Sequence, residues 1–153
     1  MKRIALMITL ATSLLIPDIA SSAGGRFGIG VIAGEPTGLS AKLHLNKENA
    51  LTFGLAWSFS GKGHMHIHTD YIFHKFGVIN VDSGQMPLYF GVGGRIRFRE
   101  DDKNEIGIRV PIGLAYIFEE TPIDLFVEIV PILDLNPDTD LSLSAAIGAR
   151  FFF

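Results

Sequence analysis

The chain has 153 residues, 48% of them apolar, no cysteine and a formal charge of −3. Without cysteine it has no disulfide, thiolate metal centre or lipid-modified cysteine, and its mildly acidic balance with no long basic run leads to the expectation of no nucleic-acid partner. The length suits a single domain.

The first 23 residues read as an address. Lys2 and Arg3 precede an apolar run, Ile4 to Ile16, broken only by Thr9, Thr12 and Ser13, and Pro17 ends any helix. Ser21-Ser22-Ala23 supplies the small residues of a cleavage point, although Asp18 stands unusually close to it. An apolar core of 13 residues is shorter than the roughly 20 that a transmembrane helix needs. The reading is a cleavable signal peptide over 1–23 and one domain over 24–153, which keeps eleven basic and fifteen acidic residues, a charge of −4. No later segment approaches a transmembrane helix, so any membrane role must use strands.

From Gly25 onward apolar and polar residues alternate in eight runs: 26–34, 39–45, 50–59, 64–74, 87–98, 105–118, 123–135 and 141–153. Turn chemistry separates them, as in Glu35-Pro36-Thr37-Gly38, Ser60-Gly61-Lys62-Gly63 and Asn136-Pro137-Asp138. No run has a helical period. The predicted fold is all-β, an eight-stranded antiparallel up-and-down barrel.

One face of these runs carries bulky apolar side chains and the other carries charge. The polar face holds Lys42, His44, His66, His68, Asp70, Arg95, Arg97, Arg109, Asp124, Glu128, Asp134 and Arg150, interspersed with Gly28, Gly54, Gly93, Gly107, Gly113 and Gly148. Alternation alone does not say which face is outside. Size does: an eight-stranded barrel has an interior only just wide enough for side chains to fill. The face rich in small residues therefore points inward and the bulky one outward, as in a transmembrane barrel. A 10-residue strand spans about 33 Å, or roughly 24 Å when tilted, close to the apolar band of about 25 Å in outer-membrane barrels. Pro111 and Pro131 resist the pattern, because a closed sheet has no edge to receive a residue without an N–H. A bulge is expected in the run 123–135, where Phe126, Val130 and Ile132 put apolar residues on the inner face.

The chain ends LSLSAAIGARFFF, with Phe153, Phe151, Ala149 and Ile147 at alternate positions. This resembles the C-terminal signal by which bacterial outer-membrane barrels are recognised for assembly, which implies that role for Phe151 and Phe153. The whole of 24–153 resembles small barrels of the OmpA-transmembrane-domain and OmpX type. The stretches GEPTGLSAKLHL, LAWSF, DSGQMPLYFGVGGRIRF and DLFVEIVPILDLNPDTD are similar to a family of small outer-membrane proteins of no settled activity, spirochaete members included. The resemblance implies an outer-membrane location, outer-membrane lipid and the barrel-assembly machinery as partners, and no cofactor. The loops are shorter than those of OmpX-type proteins, which counts against adhesion through loops, and any surface ligand stays unnamed.

HMHIHTDYIFH, residues 64–74, then places His64, His66, His68, Asp70 and His74 in the lumen. Histidines two apart on a strand lie about 6–7 Å from each other, so His66 and His68 are weak metal candidates; the plainer reading is hydrogen-bonded filling. The lumen cations Lys42, Arg95, Arg97, Arg109 and Arg150 oppose Asp70, Asp124, Glu128 and Asp134, near the pairing that a sealed core needs. Trp57, Phe59, Tyr71, Phe73, Phe98, Tyr116 and Phe118 lie near strand ends, where aromatic girdles meet headgroups. The expected role is structural or in surface interaction, without catalysis. Three alternatives stay open: a narrow solute channel, a soluble periplasmic ligand-binding barrel, and a lipid-modifying enzyme using Ser58 or Ser60 with His64 or His66.

Overall fold

Alternation with a two-residue period makes every run of the chain an amphipathic stretch of strand, and the computed structural model pairs each of the eight runs with the next. It describes residues 25–34, 37–58, 64–99, 104–136 and 138–153. The expected signal peptide, Phe59, Ser60 and the side chains of Ser58 and His64 lie outside the described residues.

The strands are β1 (Phe27–Gly34), β2 (Gly38–His44), β3 (Asn49–Ser58), β4 (His64–Lys75), β5 (Leu88–Phe98), β6 (Glu105–Arg109), β7 (Ile112–Ile117), β8 (Ile123–Asn136) and β9 (Asp140–Phe152). All pairings are antiparallel. β1 pairs with β9 from Gly28↔Phe152 to Gly34↔Ala146, which closes the sheet. β6 and β7 both lie between β5 and β8, so they are two halves of one stave, and the ring has eight staves. Closure removes the free edges that an open sheet would expose.

The break between β6 and β7 has a specific cause. Val110 N–H donates to the Pro131 carbonyl and Gly91 N–H to the Pro111 carbonyl, each at 3.0 Å. In an antiparallel pair the return bond comes from the partner's N–H, which proline lacks. Each proline thus deletes one ladder bond while the register runs on through it, Arg109↔Ile132 and Ile112↔Ile129. The bulge expected within 123–135 is therefore not at Pro131. The register shifts instead between Ile106 and Gly107, which face Asn136 and Asp134, leaving Leu135 as the extra residue. Phe126, Val130 and Ile132 are buried with no bulge, as an apolar strip of the inner face.

Direction follows the size argument. Ile29, Val31, Leu39, Phe53, Leu55, Ile67, Phe90, Val92, Ile108, Leu125, Val127, Ile147 and Phe151 are exposed on the outside. The inside is packed by cross-strand pairs of unequal size. The directly paired residues Gly28↔Phe152, Gly54↔His68, Gly93↔Asp70, Gly107↔Asp134, Gly113↔Tyr89 and Gly148↔Phe126 each join a glycine to a long chain. A Cβ on each of these glycines would meet the side chain of its partner within contact distance. On a concave face the Cβ atoms converge, so one member of a pair must be small for the other to lie across it. Ile32, Ile72, Tyr89, Ala115, Phe126 and Ala146 form an apolar cluster within the bore.

The strand directions put the 45–48 turn, the 76–87 segment, the 118–122 turn and both described termini at one end. The 76–87 segment is tied down there: Gln85 bridges to Ile117, and Tyr116 Oη donates to the Ser83 carbonyl at 2.7 Å. Gly84, at φ +74°, lets the chain turn against Tyr116 and Ile117 where a Cβ would strike the Ile117 carbonyl.

Candidate functional site: the charged lumen

Eight staves each project alternate residues into one narrow bore, so charges far apart in sequence become neighbours. Two networks result. Toward the end with the termini, Lys42 Nζ and Arg150 Nη1 lie 3.5 and 3.4 Å from Asp124 Oδ2. Lys42 Nζ also donates to His74 Nε2 at 2.8 Å, while His74 Nδ1–H donates to the Glu48 carbonyl at 3.0 Å. Arg150 Nε donates to Ser40 Oγ at 2.9 Å, and its guanidinium covers the Phe126 ring at 3.8 Å from the centroid. Tyr89 Oη donates to Glu128 at 2.8 Å. His44 lies beside the rings of His74 and Phe152.

Toward the other end, Arg109 Nε donates to Asp70 Oδ1 at 3.1 Å, and Arg109 Nη2 is 3.8 Å from Glu128. His68 Nδ1 stands 3.4 Å from the same Asp70. Arg95 grips Asp134 with Nε and Nη2, at 2.7 to 3.2 Å. Arg97 and Arg99 share Glu105 at 3.1 and 2.9 Å. Beyond them a cleft of about 400 Å³ opens, with these three arginines and Glu105 among its lining residues, together with Asp138, Asp140, Ser142 and Ser144.

Four cations, Lys42, Arg95, Arg109 and Arg150, and four carboxylates, Asp70, Asp124, Glu128 and Asp134, are buried. That balance is what permits burial, since an unpaired charge in a low-dielectric interior is costly. His66 and His68 are buried too, with ring centroids 6.3 Å apart. Among the described residues no three His, Asp or Glu side chains gather as a metal site would require. His44 and Arg97 are half-buried rather than buried.

Several network members escaped the sequence reading. Tyr89 and Phe152 fall on the inward alternation without being singled out, and both are buried, Tyr89 carrying the bond to Glu128. Arg99 lies outside the alternating runs and Glu105 opens one of them, yet together they close the far end of the network. Alternation counted from the neighbouring inward residues, Gly91 and Arg150, is the signal that marks Tyr89 and Phe152 as inward.

Outside, the aromatics form two levels. Trp57 and Phe98 stand at the end away from the termini, and Tyr71, Phe73, Tyr116 and Phe118 at the other. Trp57, Phe73, Phe98 and Phe118 are exposed, while Tyr71 and Tyr116 are half-buried against Phe73 and Phe118. Phe151 and Phe153 are exposed on the outer face of the last strand and beyond it.

The structure is similar to the N-terminal β-barrel domain of Pseudomonas aeruginosa OprF, with a TM-score of 0.61 and 16% sequence identity, over 84% of this chain and 98% of that one. The chain has an OmpA-type barrel fold. At that identity the likeness extends to architecture alone. No family model matches the chain, and no curated protein matches it.

Proposed function

We propose that the chain is an integral outer-membrane protein, spanning the membrane as a closed barrel with a sealed, charge-paired lumen and serving a structural or surface-interaction role without catalysis. One observation carries the reading: among the described residues 31 large apolar side chains are exposed, and most of them girdle a ring whose charges face its bore. A soluble protein rarely exposes a contiguous apolar patch beyond a few hundred Å², whereas lipid requires such a belt. The two levels of aromatics suit headgroups at each interface. Phe151 and Phe153 serve as the contact for the barrel-assembly machinery, outer-membrane lipid is the partner of the belt, and 1–23 directs export. The narrower kinship with small spirochaete-type outer-membrane proteins rests on the motifs quoted above.

The lumen is read as sealed because bulky side chains fill it and its charges are matched. Long chains such as Arg109 and Arg150 cross the bore, and eight staves leave little open channel around them.

Fractionation of cells making the full chain tests the location. The expected result is recovery with the outer membrane and a mobility difference between unheated and boiled samples on a denaturing gel. Recovery in the soluble fraction with coincident bands overturns the reading. Purified protein in a planar bilayer should show no stable unitary conductance; a reproducible step would replace the sealed lumen with a channel.

A further inference from the structure

The mouth of the barrel away from the termini holds the cleft of about 400 Å³, a volume within the usual ligand range of about 300–1,000 Å³. Its two walls differ in charge. On the first, Arg97 and Arg99 share the single carboxylate of Glu105, at 3.1 and 2.9 Å. Two guanidiniums against one carboxylate leave one positive charge over. The side chains of Arg97 and Arg99 are 27% and 33% exposed, so their remaining N–H groups stay within reach of a ligand.

The second wall is the turn into β9 and the first residues of that strand. Register sets Asp140 directly opposite Asp134, where like charges repel. Arg95 answers Asp134 through Nε and Nη2. Asp138 and Asp140 are exposed, and among the described residues neither has an ion-pair partner. Ser142 and Ser144 continue this wall, half-buried.

With β8 and β6 between them, β9 and β5 stand three strand spacings apart, about 14 Å along the curved wall. A molecule lying across the cleft meets both walls only if it carries an anion at one end and N–H donors at the other. Its net charge is constrained too. Three arginines face the four carboxylates of Glu105, Asp134, Asp138 and Asp140, so a net anion such as a phosphate monoester is disfavoured.

We propose that this cleft binds a small zwitterion, an amino carboxylate with its two charges at opposite ends of a short chain. Its carboxylate accepts from Arg97 and Arg99, whose planar guanidiniums offer paired N–H donors. Its ammonium donates to Asp138 and Asp140, with the Ser142 and Ser144 hydroxyls as further acceptors.

The test titrates the purified, folded barrel in detergent micelles with 4-aminobutyrate. Binding is followed through the backbone amide resonances of Ser142 and Ser144 and the Nε–H resonances of Arg97 and Arg99. Saturable shifts are expected. Butyrate and butylammonium each keep the chain and lose one charge, and should bind at least about tenfold more weakly. The paired variant Asp138→Asn/Asp140→Asn, at exposed positions, should weaken 4-aminobutyrate about tenfold and leave butyrate no weaker. Arg99→Gln should weaken 4-aminobutyrate and butyrate alike. Absence of saturation, equal binding of either single-charge probe, or unchanged 4-aminobutyrate affinity in either variant overturns the proposal.

Discussion

Arg109 shows what a single residue does in this bore. It is 0% exposed, holds Asp70 through Nε and approaches Glu128 through Nη2. Truncating one partner of a buried pair leaves the other charged and unmatched, at about 3–5 kcal/mol. Asp70→Ala should therefore destabilise the barrel by about that amount, measured as urea unfolding from lipid vesicles. Arg109→Met combined with Asp70→Ala should cost clearly less than the two single changes added together, because the stranded charge is gone. Additivity would mean that the pair is solvated and contributes little. At this scale much was legible in the sequence: Lys42, Asp70, Arg95, Arg109, Asp124, Glu128 and Arg150 fall on the charged face of alternating runs. Their partners were not. That Lys42 meets both His74 and Asp124 depends on which staves face each other across the bore, and sequence separation carries no trace of it.

At the scale of strands, the pairs of glycine with a long chain account for how the bore is filled. Gly54 and His68 are direct partners on β3 and β4, and the nearest atoms to a Cβ on Gly54 all belong to the His68 ring. Gly54→Ala should destabilise by about 1–3 kcal/mol through overpacking, and most of that penalty should vanish when His68→Ala is made as well. A penalty that persists in the double variant would place the clash elsewhere. The glycines were visible as a small-residue face, but their partners follow from the register, which one residue of slip would overturn. The prolines teach the same lesson in reverse. Pro111 and Pro131 predict a fault in the sheet, and the fault is real as two missing return bonds. The extra residue, however, is taken up at Leu135, where the sequence offers no signal.

For the whole molecule, the exposed belt carries the membrane proposal. Val127 lies near the middle of β8 and is exposed on the outer face. In lipid, Val127→Arg should cost roughly 2–4 kcal/mol, read as loss of folded barrel in vesicles. In a water-soluble barrel the same surface change would stay within about 0.5 kcal/mol. Closure of β1 on β9 makes the molecule a unit, and Gly30 lies in that seam, where a Cβ would collide with the Ala149 and Arg150 backbones. Gly30→Val should therefore abolish the mobility difference between unheated and boiled protein. Retention of that difference would mean that the seam tolerates the intrusion.

The sequence by itself determined the strand count, the alternation and, through residue size, which face turns outward, because these depend on local period and on the volume available in a narrow bore. Tertiary structure alone decided which charges neutralise one another, where the register slips, and that Tyr89 reaches Glu128. These depend on the stagger of eight staves around a closed ring, a long-range geometry to which each strand contributes only a part.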